Sequence, residues 1–529
     1  MKMNELREML RCRMPWLTWV FAAMVCLVLS YHAHTNISGY PTDGDGRHNL
    51  MMAYNLYANG SLSLDAHAPF RPTAMREPLP PMVTALFMAL VPDLGRQLAL
   101  VGISSSDGIV HGEAARLVKQ INVIWIFAGL IGCWVLSCMV GRSHRAALLV
   151  VLAAYLFFFS VRTSSDPLNI QAFNDSLYTE VPASVLMLWT AVSMVWLVRS
   201  SRLLPAALSG LLLGMLTLTK AAFVFVFAGL MPFLIAYYVL VRHDLKAAAR
   251  FLAITMFCAG FAIPVGSWVV RNKVQLDSFG ITQRSGLVLL IRAFKNEMTP
   301  DEKIGAYWYW GPRLYQRLVR GTPYGADSVD FVVGGRYERV NRYRLGGDKE
   351  AAQAGKTEAA VSFYWHARAW KYFLIQQLEA QGQADQQQAA DLLLQRKAMQ
   401  MIVDSPGRHL ALTPLFLWRG IWCFREDALP FDPGGYRSYI VNLINAVAYC
   451  SIFVVFVVGL ARRRYDLVAM TVVSVGMIAL YGLVSHGVPR YSAPAIPIML
   501  VSLLVVIRGA IGPIRAAIGR RLTIRRTCA

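Results

Sequence analysis

Long apolar runs, separated by short polar or basic turns, dominate the pattern of the chain. A helix needs roughly 20 apolar residues to cross a bilayer. Ten runs approach or reach that length, at about residues 14–31, 119–140, 146–161, 178–198, 203–219, 221–241, 249–270, 438–460, 466–485 and 492–508. The pattern predicts an all-α polytopic membrane protein with about ten transmembrane helices, or eleven to twelve if two shorter runs, 79–91 and 410–424, also cross. Those two runs are more typical of interfacial or re-entrant helices.

Two long polar stretches, 32–118 and 271–437, interrupt the apolar runs. Within the second, 349–404 is rich in Ala, Gln and Lys and has aromatic residues at helical spacing, which predicts a small helical subdomain. Its aromatic residues are expected to pack in a core or to anchor at the membrane interface; they are Phe363, Trp365, Trp370 and Phe373. The predicted division is 1–270 (membrane module with loop 32–118), 271–437 (outside subdomain) and 438–529 (last spans and a basic tail).

Basic residues cluster in the short segments that join alternate spans. If the N-terminus lies inside, every inside segment is short and basic: 1–13, 141–145, 199–202, 242–250, 461–464 and the tail after 508. The positive-inside rule then places both chain ends in the cytoplasm and the two long polar stretches outside. Because this placement accounts for much of the net charge of +21, the charge does not indicate a nucleic-acid partner. Only 16% of residues are charged, which excludes an ordinary soluble protein.

The first outside loop contains Asp43 and Asp45, each followed by a glycine, ahead of a predicted helix at 48–59 that ends at Gly60. Asp-Gly is an ordinary turn dipeptide, and the local sequence alone favours a solvated turn. Glycine beside aspartate also allows the backbone to bring a carboxylate close to a ligand. Two histidines of the same loop, His48 and His111, are predicted to be surface residues.

Ionisable residues also stand at the outside ends of the predicted spans, where they are costly unless they are functional or reach water. They are Glu180, Lys220, Arg271, His486 and Arg490, followed by Tyr491; Arg76 and Glu77 precede the run 79–91. All are predicted to lie on the same side of the membrane as Asp45. Such a set of cations and carboxylates suits a lipid phosphate beside a reacting sugar, since cations bind phosphate and a carboxylate accepts a proton from a hydroxyl.

The order of these motifs resembles the GT-C superfamily of integral-membrane glycosyltransferases, in particular bacterial proteins similar to the dolichyl-phosphate-mannose protein mannosyltransferases and the lipid A aminoarabinose transferases. The matching elements are Asp45, Asn49, Ala53, Leu56 and Gly60; Arg76, Pro78 and Pro80; Asp175, Ser176 and Glu180; Gly210, Gly214, Leu218 and Lys220; Pro264, Arg271 and Asn272; and Arg490, Tyr491, Pro494 and Pro497. The resemblance covers most of the chain except 300–400. It departs at Gly46, where many relatives have a glutamate.

The resemblance implies an inverting transfer of a sugar from a polyprenyl phosphate to a cell-envelope hydroxyl, on the periplasmic face of a bacterial inner membrane. We predict Asp45 as the base, with Asp43 as the alternative. The donor phosphate is assigned to Lys220, Arg271, Arg490 and Arg76, and orientation of the sugar or acceptor to Glu77, Glu180, Tyr491 and His486. A divalent metal at Glu77, Glu180 and His486 stays open, because their spacing is not diagnostic.

Two other functions compete with this hypothesis. A secondary transporter also has charged residues at span ends, although the chain has no evident inverted repeat and its charges cluster at one face. An O-antigen ligase or polymerase would use a lipid pyrophosphate donor and a late loop. The sequence does not indicate the sugar, the oligomeric state, or whether the acceptor is a glycolipid, a polysaccharide or a protein.

Overall fold

The computed structural model describes residues 16–42, 44–100, 110–141, 143–159, 162–163, 171–200, 202–343, 346–383, 386–422, 436–485 and 487–510. Two of the predicted site residues, Asp43 and His486, lie outside the described residues.

The first part of the chain is a series of apolar helices interrupted by one polar loop. The helices are α1 (Trp16–Asn36), α2 (Asp45–Asn59), α3 (Leu79–Leu90), α4 (Leu94–Leu100), α5 (Gly112–Lys119), α6 (Ile121–Gly141), α7 (His144–Ala154), α8 (Glu180–Ser200), α9 (Leu203–Thr219), α10 (Phe223–Ala236) and α11 (Ala247–Leu276). The π-helical turns Tyr155–Phe159 and Tyr237–Val241 extend α7 and α10. Two short strands, β1 (Arg162–Thr163) and β2 (Gln171–Ala172), pair antiparallel between α7 and α8.

Shorter helices form the middle of the chain, and three long helices end it. The middle helices are α12 (Ser285–Phe294), α13 (Pro300–Trp310), α14 (Arg313–Leu318), α15 (Asp348–Gln353), α16 (Phe363–Ala380), α17 (Gln386–Asp404) and α18 (Pro406–Ile421). The last are α19 (Tyr436–Ala461), α20 (Tyr465–Val484) and α21 (Pro489–Ala510), which begins with 3-10 turns.

Eight helices of the described chain are long and apolar enough to cross a membrane. They correspond to eight of the ten predicted spans: Trp16–Asn36, Gly112–Gly141, Glu180–Ser200, Phe223–Val241, Ala247–Leu276, Asn442–Ala461, Tyr465–Val484 and Pro489–Ala510. The other two predicted spans are shorter apolar helices, His144–Phe159 and Leu203–Thr219, and the run at 79–91 is the short helix α3. The prediction of an all-α, multi-pass membrane protein is confirmed.

Helix α8 lies at the centre of the helical core, and 83% of its most apolar 18-residue stretch is buried. Beside it, α9 and α11 approach so closely that only glycine fits at their contact. A Cβ on Gly210 would lie 1.9 Å from the carbonyl oxygen of Phe257, and one on Gly260 would lie 2.3 Å from that of Ala207. Small residues that allow backbones to touch are the usual means of helix association in a membrane. This contact holds α9 against α11, and Lys220 follows the last residue of α9, Thr219.

The helices of the middle segment share a core of their own, which includes Leu290, Trp310, Phe331, Phe363 and Phe416. Of the predicted aromatic stripe, Phe363 is buried and Trp370 packs against this core, whereas Phe373 is 37% exposed. Its fourth member, Trp365, is half-buried and donates a hydrogen bond to the carbonyl oxygen of Arg342 at 2.7 Å. The predicted packing in a core therefore holds for Phe363 and Trp370.

Helix α18 joins this middle segment to the membrane helices. Leu417 of α18 packs on Gly482 of α20, where an added Cβ would lie 2.8 Å from its side chain. Asn445 of α19 donates a hydrogen bond to the carbonyl oxygen of Ile421 at 2.9 Å. After α20, the chain turns at Gly487 with φ 62° directly against Phe416. The turn places Arg490 and Tyr491 beside α18.

Candidate functional site

Asp45 is the first residue of α2 and lies between two arginines. Gly44 adopts φ 52°, a conformation that favours glycine, and this turns the chain into the helix. The Asp45 side chain is 26% exposed; its Oδ1 lies 2.5 Å from Arg76 Nη2, and its Oδ2 accepts a hydrogen bond from Arg490. A carboxylate at a helix N-terminus is also favoured by the helix dipole. The site thus begins with one carboxylate held by two cations.

A second carboxylate, Glu180, is connected to the same arginine. Glu180 is the first residue of α8 and is 2% exposed. Its Oε1 lies 3.1 Å from Lys220 Nζ at the end of α9 and 3.8 Å from Arg490 Nε. Arg490 therefore bridges Asp45 and Glu180, and its guanidinium also lies 5.3 Å from the centroid of the Tyr178 ring. We call Asp45, Arg76, Glu180, Lys220 and Arg490 the Asp45 network.

Arg284, which precedes α12, adds a third arginine that the sequence did not single out. Burial alone raises the pKa of Asp45, but the positive charges of Arg490, Arg284 and Arg76 outweigh it and hold that pKa well below its usual value. Burial lowers the pKa of Arg284 itself, yet Asp45 and Glu77 bring a net increase. No local motif marks Arg284 as different from other arginines of the middle segment. Its position could be found only from the tertiary structure.

His48 was predicted to be a surface residue, and the structure corrects this. It is half-buried, one turn along α2 from Asp45, and Arg76 Nη2 lies 2.6 Å from its Nδ1. Burial, together with the charge of Arg76, lowers the pKa of His48 to about 4. A neutral imidazole can accept the hydrogen bond from arginine, so His48 orients Arg76 towards Asp45. The other histidine, His111, is exposed as predicted.

The remaining predicted site residues occupy different positions. Glu77 is half-buried and acts electrostatically on Arg76 and Arg284, but it makes no ion pair within 4.0 Å among the described residues. Arg271 lies apart from the ion pairs: its guanidinium covers Trp268 at 4.6 Å and donates to the carbonyl oxygen of Thr73 at 3.3 Å. It holds the backbone three residues before Arg76. The part of the chain that the structure describes does not pair Arg271 with a carboxylate.

Tyr491 marks one end of an apolar cavity beside the Asp45 network. Its ring stacks on Tyr481 at 4.7 Å and lies 5.8 Å from Lys220 Nζ. The cavity has a volume of about 20 Å³, room for little more than one water molecule, and is lined by Phe416, Leu417, Gly420, Tyr449, Ile478, Tyr481, Gly482, Gly487, Val488, Tyr491 and Ser492. The cavity therefore lies between α18, α19, α20 and the turn that contains Arg490.

Asp175 forms hydrogen bonds with residues at both ends of the first outside loop. It accepts hydrogen bonds from the Ser38 amide and hydroxyl near the start of the loop, and from Lys119 Nζ at 2.6 Å at the end of the loop. Asn49 of α2 donates to the carbonyl oxygen of Leu177 at 2.8 Å. Asp175, which the motif comparison placed beside Glu180, therefore supports the position of α2 and does not contact Asp45 in the described structure.

Gly46, which follows Asp45, is tightly packed. A Cβ at this position would lie 2.2 Å from the Thr42 hydroxyl and 3.3 Å from the Leu177 amide. The local packing therefore leaves no room for an acidic side chain beside Asp45.

The described residues contain no group of three His, Cys, Asp or Glu side chains arranged to bind a metal. Of the residues considered for a metal, Glu180 already lies beside Lys220 and Arg490, whose charges disfavour a divalent cation at that carboxylate. The site is better suited to an anion. Lys220, Arg76, Arg284 and Arg490 bring four positive charges, and Asp45, Glu180 and Glu77 bring three negative charges.

No protein-family model, curated protein or solved structure matches the chain.

Proposed function

We propose that the protein is an inverting glycosyltransferase that moves a sugar from a polyprenyl-phosphate donor to a hydroxyl of a cell-envelope acceptor. The observation that carries the proposal is the position of Asp45 between Arg76 and Arg490. Arginine binds phosphate through charge-assisted hydrogen bonds. A carboxylate within the same network can take a proton from an attacking hydroxyl. Glu180, Lys220 and Arg490 lie at the ends of α8, α9 and α21, and a lipid donor would present its head group near the ends of such helices.

In the proposed reaction the acceptor oxygen forms a bond to the anomeric carbon on the face opposite the phosphate. The bond between that carbon and the phosphate oxygen breaks, and the polyprenyl phosphate leaves with both electrons. Asp45 accepts the hydroxyl proton. Arg76, Arg490 and Lys220 stabilise the charge that develops on the phosphate, which is the largest electrostatic demand of the step. Inversion follows because the base and the leaving group act on opposite faces of the sugar.

The arginines have a second effect, on the strength of the base. In the structure they hold the pKa of Asp45 well below its usual value, although burial acts in the opposite direction, and so weak a base is poorly suited to removing a hydroxyl proton. A phosphate that competes for Arg490 and Arg76 removes part of this effect, and the pKa of Asp45 rises. Donor binding would therefore activate the base.

The proposed site faces the periplasm, in the inner membrane of a bacterium. This orientation rests on the short basic segments that alternate with the spans, which favour a cytoplasmic location for both chain ends.

The decisive experiment measures transfer from a panel of radiolabelled polyprenyl-phosphate sugars to membrane-extracted acceptors. Full-length wild type is compared with Asp45→Asn and with Asp93→Asn, a matched change at an exposed carboxylate of the same loop. We expect Asp45→Asn to lose about 10²- to 10⁴-fold in kcat and Asp93→Asn to keep wild-type turnover. Inversion is read from the anomeric coupling of the product by NMR.

Transfer that persists in Asp45→Asn would contradict the role of Asp45 as base and shift it to Asp43. No transfer from any donor, together with solute uptake in proteoliposomes, would support a secondary transporter. Transfer only from pyrophosphate-linked donors would support a ligase or polymerase.

A further inference from the structure

The short link between α11 and α12, residues 277–284, packs against the elements that contain the Asp45 network. Its residue Ile281 contacts a small core that includes Met52 of α2 and Leu218 of α9. The carbonyl oxygen of Ile281 accepts a hydrogen bond from the Trp268 indole of α11 at 3.1 Å. These contacts hold the link against the helix that begins with Asp45.

The end of this link is bound to the first outside loop. The Gln283 amide donates a hydrogen bond at 3.0 Å to the carbonyl oxygen of Ala74, which lies two residues before Arg76. The next residue of the link, Arg284, is half-buried, and its positive charge acts on Asp45. The middle segment therefore brings a cation to the proposed base, from the side of the loop that supplies Arg76.

Arg284 differs from the other cations of the site in how it is paired. Arg76, Lys220 and Arg490 each lie within 4.0 Å of a carboxylate of the Asp45 network. The Arg284 side chain has no hydrogen bond and no ion pair within 4.0 Å among the described residues, and Asp45 acts on it over a longer distance. A phosphate could therefore bind Arg284 without displacing a carboxylate, whereas it must compete for the other three cations.

Asp391 of α17 holds the start of α12, directly after Arg284. Its Oδ1 accepts hydrogen bonds from the Gly286 and Leu287 amides at 3.0 and 3.3 Å, and its Oδ2 lies 3.1 Å from the Gly286 amide. The first amides of a helix have no partner within the helix, and a carboxylate at this end also suits the helix dipole. A Cβ on Gly286 would lie 2.0 Å from the carbonyl oxygen of Asp391, so the two helices touch here. Asp391 thus fixes the backbone from which the Arg284 side chain extends.

We propose that Arg284 binds the phosphate of the polyprenyl-phosphate donor, and that Asp391 is the positioning residue that holds Arg284 in place. Arginine suits this role because its planar guanidinium can bind two phosphate oxygens at once. The inference rests on the proposed glycosyl transfer and makes the middle segment part of the donor site. Neither residue is among the motif residues that resemble the GT-C superfamily.

Binding is tested first without turnover. Full-length protein in a neutral detergent is titrated with farnesyl phosphate, with farnesol as its uncharged counterpart, and the thermal unfolding midpoint is followed. We expect farnesyl phosphate alone to raise the midpoint. Arg284→Gln should weaken its binding about tenfold or more, and Arg284→Lys, which keeps the charge without the planar fork, should lie between that variant and wild type.

The control for binding is Arg320→Gln, at an exposed arginine of the middle segment, which should bind farnesyl phosphate as wild type does. Equal binding by Arg284→Gln and wild type would overturn the inference, and so would the absence of binding by wild type.

Steady-state kinetics separate the donor from the acceptor. In Arg284→Gln the KM for the donor should rise about tenfold or more, while the KM for the acceptor is unchanged. If transfer proceeds with an unchanged donor KM, or with a rise in the acceptor KM alone, the inference is wrong and the proposed function stands. If no donor supports transfer but farnesyl phosphate still binds through Arg284, the proposed reaction fails and the phosphate site stands.

A double-mutant cycle tests the positioning role of Asp391. Asp391→Ala should raise the donor KM about threefold or more, and Asp391→Asn, which can still accept an amide hydrogen bond, should recover most of this loss. In the Arg284→Gln background, Asp391→Ala should raise the donor KM by less than about 1.5-fold, because the two residues act as a unit.

Asp404→Ala, at an exposed carboxylate at the end of the same helix, is the matched control and should keep the wild-type donor KM. Additive effects of Arg284→Gln and Asp391→Ala on the donor KM would show that Asp391 does not act through Arg284, and would overturn its positioning role.

Discussion

The Asp45 network and a second group of cations, Arg292, Lys295 and Arg419, which we call the Lys295 cluster, differ in how their charge is balanced. In the Asp45 network, Arg76, Arg490 and Lys220 are each paired with a carboxylate. In the Lys295 cluster, Lys295 and Arg292 have only rings, amides and a carbonyl oxygen as partners among the described residues. The first group therefore holds its cations in ion pairs, whereas the second holds Lys295 and Arg292 against aromatic rings. The same change, removal of a cation, should therefore have opposite effects on stability at the two sites.

The largest effect is expected for Arg490→Gln, which leaves Asp45 and Glu180 with one fewer positive neighbour. Breaking a buried charge pair costs about 3–5 kcal/mol. We expect a loss near the lower end of that range, because the Arg490 side chain is 22% exposed. The measurement is the thermal or denaturant midpoint of the detergent-solubilised protein. Arg96→Gln, which removes an exposed pair with Asp93, is the control and should change stability by about 1 kcal/mol or less.

A smaller, opposite effect is expected at the other site. Lys295→Met removes a buried cation that has no described counter-charge, so the ligand-free protein should become more stable by on the order of 1 kcal/mol. A loss of stability in the ligand-free variant would show that Lys295 has a structural role and would remove the contrast between the two sites.

The pH dependence of turnover tests the proposed role of Asp45 as the base. The charges of Arg490, Arg284 and Arg76 outweigh burial and hold the pKa of Asp45 in the free enzyme below its usual value, so the acidic limb of kcat/KM should lie below about pH 3.9. The limb of kcat, which reports the donor-bound enzyme, should lie at higher pH, because the donor phosphate competes for the arginines. Coincident limbs would show that donor binding does not release the arginines.

The smallest predicted effect concerns His48, which contacts Arg76 and not Asp45. His48→Ala removes one hydrogen bond to the guanidinium, typically about 0.5–1.5 kcal/mol, so kcat/KM should fall roughly two- to tenfold. The donor KM should rise while the acceptor KM stays constant, since Arg76 is assigned to the donor phosphate. His111→Ala, at an exposed histidine of the same loop, is the matched control.

The sequence predicted the membrane helices well because hydropathy is a local property. Eight predicted spans match long apolar helices, and α2 ends at Gly60 with φ 68°, as its sequence indicated. Motif order also identified five residues that the structure joins in one network: Asp45, Arg76, Glu180, Lys220 and Arg490. Their assigned roles stay predictions.

Contacts between distant segments could not be predicted in the same way. Arg271 was grouped with the phosphate-binding cations, yet it holds the carbonyl oxygen of Thr73. Arg284 and Lys295 follow no motif and acquire their surroundings only when the middle segment packs against α18, α20 and α21. The sequence shows which residues are charged, but the partner of each charge is a property of the tertiary fold.

The contacts of Asp175 give the first outside loop a closed base. The Asp175 carboxylate binds Ser38 at the start of the loop and Lys119 at its end. The two ends of the loop are therefore held together by side-chain contacts as well as by the peptide chain between them. A protease that nicks the loop would therefore produce two fragments that still migrate together under native conditions, with α2 and Asp45 kept in register. The hydrogen bond from the Gly112 amide to the carbonyl oxygen of Gly39, at 2.9 Å, closes the loop at the same place.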